Sequence, residues 1–320
     1  MLLALTLAAC GGSGGSTSRT TARRTHAQTS PRVQTAVTTS PQPKRAPVGP
    51  PFRVAQQVLT FVDRSRQVNY PGQAPQPRKL VTIIRYPRAS GPFPLIVFGH
   101  GFAVTPTPYA RLLDAWARAG YVVAAPVFPL GNASAPGGPN EADLVNQPRD
   151  MSFVITRMLA LSDVRSGPLA GLIAPPEIAV AGQSDGGDTA LSAAYNSQFR
   201  DRRIQAAVIL SGQEIPGVGG YDFPAPSPPL LATQGLADTI NVPATTYTFF
   251  DAAPPPKYLL TMPGAQHLGP YTDQEPQLGI VERVTIAFLD RYLKRQSGAA
   301  ARMERAGSVS GVAVLRSDPG

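Results

Sequence analysis

Three residues, met along the chain in the order Ser184, Asp238 and His267, could together turn a hydroxyl into a nucleophile. A free serine hydroxyl attacks poorly and needs a base beside it, and the base needs a third group to orient it. Ser184 lies in Gly182-Gln183-Ser184-Asp185-Gly186, after the apolar run 178–181 and before the helix-forming stretch 188–195. Strand, G-x-S-x-G, helix is the layout of a nucleophile elbow. The turn is so tight that side chains two positions to either side would clash, and Gly182 and Gly186 stand there. It lifts the hydroxyl out of the sheet edge. It also leaves the Asp185 N–H at a helix start, facing any oxyanion formed beside it. Gly11-Gly12-Ser13-Gly14-Gly15 fits the same pattern but has no strand before it and no helix after it. The plainer reading of 182–186 is a glycine-rich β–α turn with a capping serine.

The chain has three histidines, His26, His100 and His267, and only His267 follows Ser184. It sits in Pro263-Gly264-Ala265-Gln266-His267, just past an apolar strand run, where a base borne on a loop belongs. Elimination makes it the base; otherwise it is an exposed loop histidine. Asp238, in the loop after the run 229–233, is the orienting carboxylate, with Asp222, Glu214 and Asp251 as rivals. Stabilising an oxyanion takes a second N–H. Gly99-His100-Gly101-Phe102 follows another apolar run, and its glycines let the backbone come close to a substrate. The Phe102 N–H would pair with that of Asp185, with Gly101 and His100 supporting the loop, His100 by hydrogen bonding. The alternative is a merely structural turn.

The elements that must position these groups follow from periodicity. Residues 54–62 and 79–86 mix apolar and polar side chains like antiparallel edge strands. Run 94–98 is continuous and apolar, as in a buried parallel strand, 121–126 reads as another buried strand, and 205–210, 229–233 and 257–262 each read as strands. Thr107 as N-cap and Pro108 at the first position open a helix whose face is Tyr109, Leu112, Leu113 and Trp116, and Gly120 stops it. Further helices are expected over 148–161, with Phe153, Met158 and Leu161 inward, over 242–252, and over 279–294, with Val281, Val284, Phe288 and Tyr292 inward. Alternating strands and helices predict an α/β fold, a mostly parallel central sheet flanked by helices on both faces. Residues 212–228 form only a Pro/Gly loop, which predicts an open site with no lid.

Together these motifs resemble the α/β-hydrolase superfamily over residues 52–297. Phe-Gly-His-Gly-Phe, Gly-Gln-Ser-Asp-Gly-Gly and Pro-Gly-Ala-Gln-His look like its bacterial branch near chlorophyllases, platelet-activating-factor acetylhydrolases and cutinases. The chain order Ser184, Asp238, His267 is that of an α/β-hydrolase triad, unlike the two main serine-protease orders. The resemblance implies serine-dependent hydrolysis of a small-molecule or polymeric carboxylic ester of short to medium chain, with no cofactor and no metal. Amide or peptide cleavage on the same triad, and a non-catalytic envelope-anchored binding protein, are the alternatives. The chain departs from the branch at Gln183, where His is common, and at Asp185, where Met or Leu is common. A C-terminal disulfide, frequent in cutinase-like relatives, is impossible with Cys10 as the single cysteine.

The chain of 320 residues carries +9, but six basic residues and no acid fall within residues 1–50, leaving +3 for 51–320. The folded part thus shows no basic stripe, and a nucleic-acid partner is not expected. Residues 1–10 are apolar, too short to span a bilayer, and resemble the end of a signal-peptide h-region. Leu7-Ala8-Ala9-Cys10 looks like a bacterial lipobox, which implies cleavage before Cys10, lipidation of its sulfur and anchoring to the cell-envelope membrane; secretion is the alternative. Residues 11–51 are Ser/Thr/Pro/Arg-rich and predict a disordered tether. A monomer is expected, with 298–320 as a loosely docked C-terminal tail.

Overall fold

The computed structural model describes residues 51–320. The expectations for residues 1–50, including the signal peptide, the Cys10 lipobox and the tether, lie outside the described residues. Nine strands form one sheet: β1 (Val54–Val68), β2 (Gln76–Pro87), β3 (Phe93–Gly99), β4 (Val122–Val127), β5 (Ile173–Gln183), β6 (Ala206–Leu210), β7 (Leu230–Gly235), β8 (Lys257–Met262) and β9 (Val314–Asp318). Their order is β1-β2-β4-β3-β5-β6-β7-β8-β9. The inner run β4-β3-β5-β6-β7-β8 is parallel, and β1, β2 and β9 pair antiparallel. This is the α/β-hydrolase fold.

Each inner strand is buried on both faces, and its side chains alternate between two cores. Leu95 and Val97 of β3 face the same core as Ile178 and Val180 of β5, while Ile96 and Phe98 face the other with Ala179 and Ala181. The first core is covered by α2 (Gln147–Ser162), α3 (Asp185–Tyr195) and α4 (Pro243–Ala252). The second is covered by α1 (Ala110–Arg118), α5 (Gln277–Tyr292) and α6 (Ala299–Gly307). Trp116 of α1 is fully buried, and its indole N–H donates to Thr285 of α5 at 2.9 Å. No helix among the described residues is long and apolar enough to cross a membrane.

Four elements differ from their sequence reading. Thr107 does not cap a helix: a 3-10 turn spans Thr107–Tyr109 and α1 starts only at Ala110. Tyr109, with ψ of 7°, leaves the α conformation there, and its ring packs beside Phe98 at 5.0 Å. In α2 the buried stripe is Met151, Val154, Ile155 and Met158, an i, i+3, i+4, i+7 pattern, and Phe153 and Leu161 are only partly covered. Helix α3 begins directly after Ser184 and not at residue 188, because the turn there inserts no loop. The C-terminal segment is no loose tail. Met303 of α6 is fully buried, and β9 extends the sheet by pairing with β8 from Lys257↔Asp318 to Thr261↔Val314.

The long segment after β4 is fixed from the neighbouring strand β2. Arg78 of β2, itself buried, binds Asp143 through 2.8 and 2.6 Å contacts and Asp150 through 2.8 and 2.7 Å contacts. Two carboxylates on one guanidinium, each bidentate, hold the segment leading into α2 against the sheet.

Candidate active site

The C-terminal ends of β3, β5, β7 and β8 lie along one edge of the sheet, and the loops leaving them converge. At the end of β5, Ser184 adopts φ 55° and ψ −129°, a conformation that costs a non-glycine residue energy and persists only where its surroundings enforce it. Here they do. The Ser184 N–H donates to the Leu210 carbonyl at the end of β6, and the Ser184 carbonyl accepts from Asp188 in α3. A Cβ on Gly182 would stand 1.9 Å from the Gly186 carbonyl oxygen, so the turn closes only with glycine there.

His267 faces Ser184 from the loop after β8. Its Nε2 is 2.8 Å from the Ser184 Oγ, and its Nδ1 is 2.8 Å from Asp238 Oδ2. The carboxylate can only accept, so Nδ1 carries the proton and Nε2 offers a lone pair to the hydroxyl. Asp238 is fixed from behind: its Oδ1 accepts from the Ile240 N–H at 2.9 Å and the Asn241 N–H at 3.1 Å. Burial pushes its carboxyl up. The hydrogen bond and charge of His267, with those two N–H groups, outweigh burial and hold it below the ordinary carboxylate range. Of the rival acids, Asp251 pairs with Arg316 at 2.8 Å and Asp222 is exposed, while Glu214 makes no ion pair among the described residues.

The loop after β3 is held by His100. Its Nε2 lies 3.0 Å from the Phe128 N–H, a donor, so Nε2 accepts and Nδ1 donates, to the Gly101 carbonyl at 2.8 Å. A trans peptide sets its C=O and N–H in opposite directions. Anchoring the Gly101 carbonyl inward therefore turns the Phe102 N–H, in the same peptide, the other way. The Phe102 N–H has no protein acceptor among the described residues. His100 is fully buried, and burial lowers its pKa to about 4, which keeps it neutral in this role.

Asp185 and Gln183 flank the serine. The Asp185 N–H opens α3, where no residue of the preceding turn can accept from it. Its carboxyl is pushed up to about 6, by burial first and by Glu141 second, against the pull of His267 and of its own N–H. Gln183 is buried and joins groups that sequence reasoning left apart. Its Oε1 accepts from the Tyr109 hydroxyl at 2.7 Å, and its Nε2 donates to the His267 carbonyl at 3.0 Å. Tyr109 had read only as part of an apolar helix face. No sequence signal marked its hydroxyl, although Gln183 stood out as a departure from the resembled pattern.

A cavity of about 210 Å³ opens on Ser184 and His267, floored by Gly101, Tyr109 and Gln183 and rimmed by Phe102, Val104, Ile240 and Leu268. Phe102, Ile240 and Leu268 are exposed to solvent. Residues 212–228 carry no helix or strand over it.

Compared with known families, residues 57–234 match the family model described as Chlorophyllase. The match takes in Ser184 and the Gly99–Phe102 loop and ends before Asp238 and His267. No curated protein matches the chain.

Proposed function

Since the chain belongs to the Chlorophyllase family, within the α/β-hydrolase superfamily, we propose that it is a serine esterase cleaving carboxylic esters with a short acyl group. The observation that carries this reading is the unbroken hydrogen-bonded chain from Ser184 Oγ through His267 to Asp238, two contacts of 2.8 Å. Ser184 attacks the ester carbonyl as His267 Nε2 takes its proton, and Asp238 keeps the imidazole in the tautomer that can do so. Charge developing on the carbonyl oxygen meets the N–H groups of Phe102 and Asp185. His267 then returns the proton to the leaving alkoxide, which departs as the alcohol. Water, activated by the same histidine, releases the acid from Ser184.

The size of the cavity supports the substrate class. At about 210 Å³ it is smaller than the roughly 300–1,000 Å³ usual for drug-sized ligands. It suits a short acyl group, and the rest of a longer or polymeric ester would lie across the exposed rim of Phe102, Ile240 and Leu268. The test is initial rates on p-nitrophenyl acetate, butyrate, octanoate and palmitate, with Ser184→Ala alongside. Rates should fall beyond butyrate, and Ser184→Ala should lose about 10³-fold or more. Full turnover by Ser184→Ala would sink the esterase reading, and palmitate faster than butyrate would sink the short-chain one.

We propose in addition that Cys10 carries a lipid that tethers the enzyme to the envelope membrane. A Cys10→Ser chain expressed in bacteria should lose the radiolabelled palmitate and the membrane-fraction location of the parent. Equal incorporation in both would refute the anchor.

A further inference from the structure

We infer that Gln183 and Tyr109 are positioning residues that couple the Gly99–Phe102 loop to the His267 loop through the nucleophile turn. The inference rests on the esterase reading. Three hydrogen bonds, two buried and the last partly buried, run in one direction. The Gly101 N–H donates to the Tyr109 hydroxyl at 3.3 Å, the hydroxyl donates to Gln183 Oε1 at 2.7 Å, and Gln183 Nε2 donates to the His267 carbonyl at 3.0 Å. Each role is forced. A backbone N–H can only donate and a backbone carbonyl can only accept, so the hydroxyl proton has one place to go and the carboxamide one orientation. Tyr109 and Gln183 are both almost wholly buried, which holds their side chains in these pairings.

The two ends of this relay meet the two moving parts of the chemistry. At one end, Gly101 is gripped twice: Tyr109 takes its N–H while His100 takes its carbonyl at 2.8 Å. With both sides of Gly101 engaged, the Phe102 N–H is the amide of that loop left for an oxyanion. At the other end, the backbone of His267 is tied directly to the residue preceding Ser184. This tie acts together with the Asp238 contact in setting where the His267 imidazole stands relative to Ser184. A glutamine reaches both ends because it carries an acceptor and a donor on one plane. A histidine could make the two bonds only by offering an acceptor to Tyr109 and an N–H to His267 from opposite sides of its ring.

The test uses Tyr109→Phe and Gln183→Leu, singly and together, with Gln183→Asn as a milder break that keeps the polar group but shortens its reach. Kinetics on p-nitrophenyl butyrate, the rate of fluorophosphonate labelling of Ser184, and Tm are read for each. Misplacing an oxyanion donor or base costs rate more than binding, so each single variant should lose about tenfold in kcat with KM within about twofold. Labelling should slow in parallel. Because both residues serve one relay, the double variant should be no slower than the worse single one. Wild-type kcat in Tyr109→Phe and Gln183→Asn, or losses that multiply in the double variant, would overturn the coupling. If the wild-type protein neither hydrolyses the ester nor takes up the probe, the esterase reading itself falls. A labelled, active wild type with fully active variants removes the relay alone.

Discussion

Gly186 and Gly99 touch backbone to backbone: a Cβ on Gly186 would lie 2.0 Å from the Gly99 carbonyl oxygen and 2.3 Å from its carbon. The first turn of α3 is thus packed against the end of β3, where the His100 loop begins. No flexible side chain stands between them to yield. Gly186→Ala would force apart the nucleophile turn and the loop that offers the Phe102 N–H. Its expected cost is about 3 kcal/mol or more, at the upper end for overpacking. Soluble yield and Tm should both fall well below those of Ser184→Ala, which leaves the packing intact. A Gly186→Ala protein with the Tm and activity of wild type would contradict this packing argument.

Asp238→Asn probes the orientation of His267. The N–H groups of Ile240 and Asn241 point at the Asp238 Oδ1 position and need an acceptor there. An asparagine must therefore place its carbonyl at that position and its NH₂ toward His267 Nδ1. Facing a donor, Nδ1 becomes the acceptor and the proton moves to Nε2, so the base meets the Ser184 hydroxyl already protonated. Turnover should drop about 10³–10⁴-fold with Tm little changed, since the amide still satisfies both backbone donors. Measured kcat within tenfold of wild type would show that another group orients the histidine.

Much of this site was legible in the sequence because its chemistry demands rare residue types. With His267 the only histidine after Ser184, its pairing with Ser184 could be read with no knowledge of distance. The glycines at 182 and 186 announced a turn that admits no Cβ. Parallel strands also declared themselves, since burial on both faces leaves an unbroken apolar run such as 206–210. What escaped were relations between common residues. Tyr109 has an apolar ring that satisfies the helix pattern, and its hydroxyl finds Gln183 only after 74 positions of chain have folded back. The C-terminal segment misled for a similar reason. Its alanines, glycines and charges look like a tail, and its place in the sheet depends on an open β8 edge that no local pattern reveals.

Asp185 links stability to pH. Its carboxyl titrates near 6 in the fold against an ordinary 3.8, chiefly through burial and then through Glu141. Between these values the folded chain binds more protons than the unfolded one. Stability from this group is therefore gained as pH falls through 6 toward 4 and lost as pH rises. Asp185→Asn keeps the backbone N–H and removes the buried charge. It should unfold at a higher temperature than wild type at pH 8, by at most about 3 kcal/mol in stability, with the advantage gone near pH 4. A constant Tm difference across that range would show that the carboxyl is not the group responsible.

The C-terminal segment should prove integral to the fold. Ala299 and Met303 of α6 are fully buried, Met303 against the core that holds Phe288 of α5, and Gly307 packs against Leu315 of β9. Removing residues 299–320 uncovers that apolar surface and leaves β8 as an unpaired edge, a template for strand addition by another chain. The truncated protein should elute as aggregates on size exclusion. Met303→Ala offers a version that still folds: deleting a buried methionine side chain costs about 3 kcal/mol, read as a Tm lower by roughly 6–12 °C. The segment lies on the opposite face of the sheet from α2 and α3, so kcat on p-nitrophenyl butyrate at low temperature should hold within about twofold, since well-separated changes act independently. Unchanged Tm in Met303→Ala together with a monomeric truncation would mean that α6 and β9 add nothing to the fold.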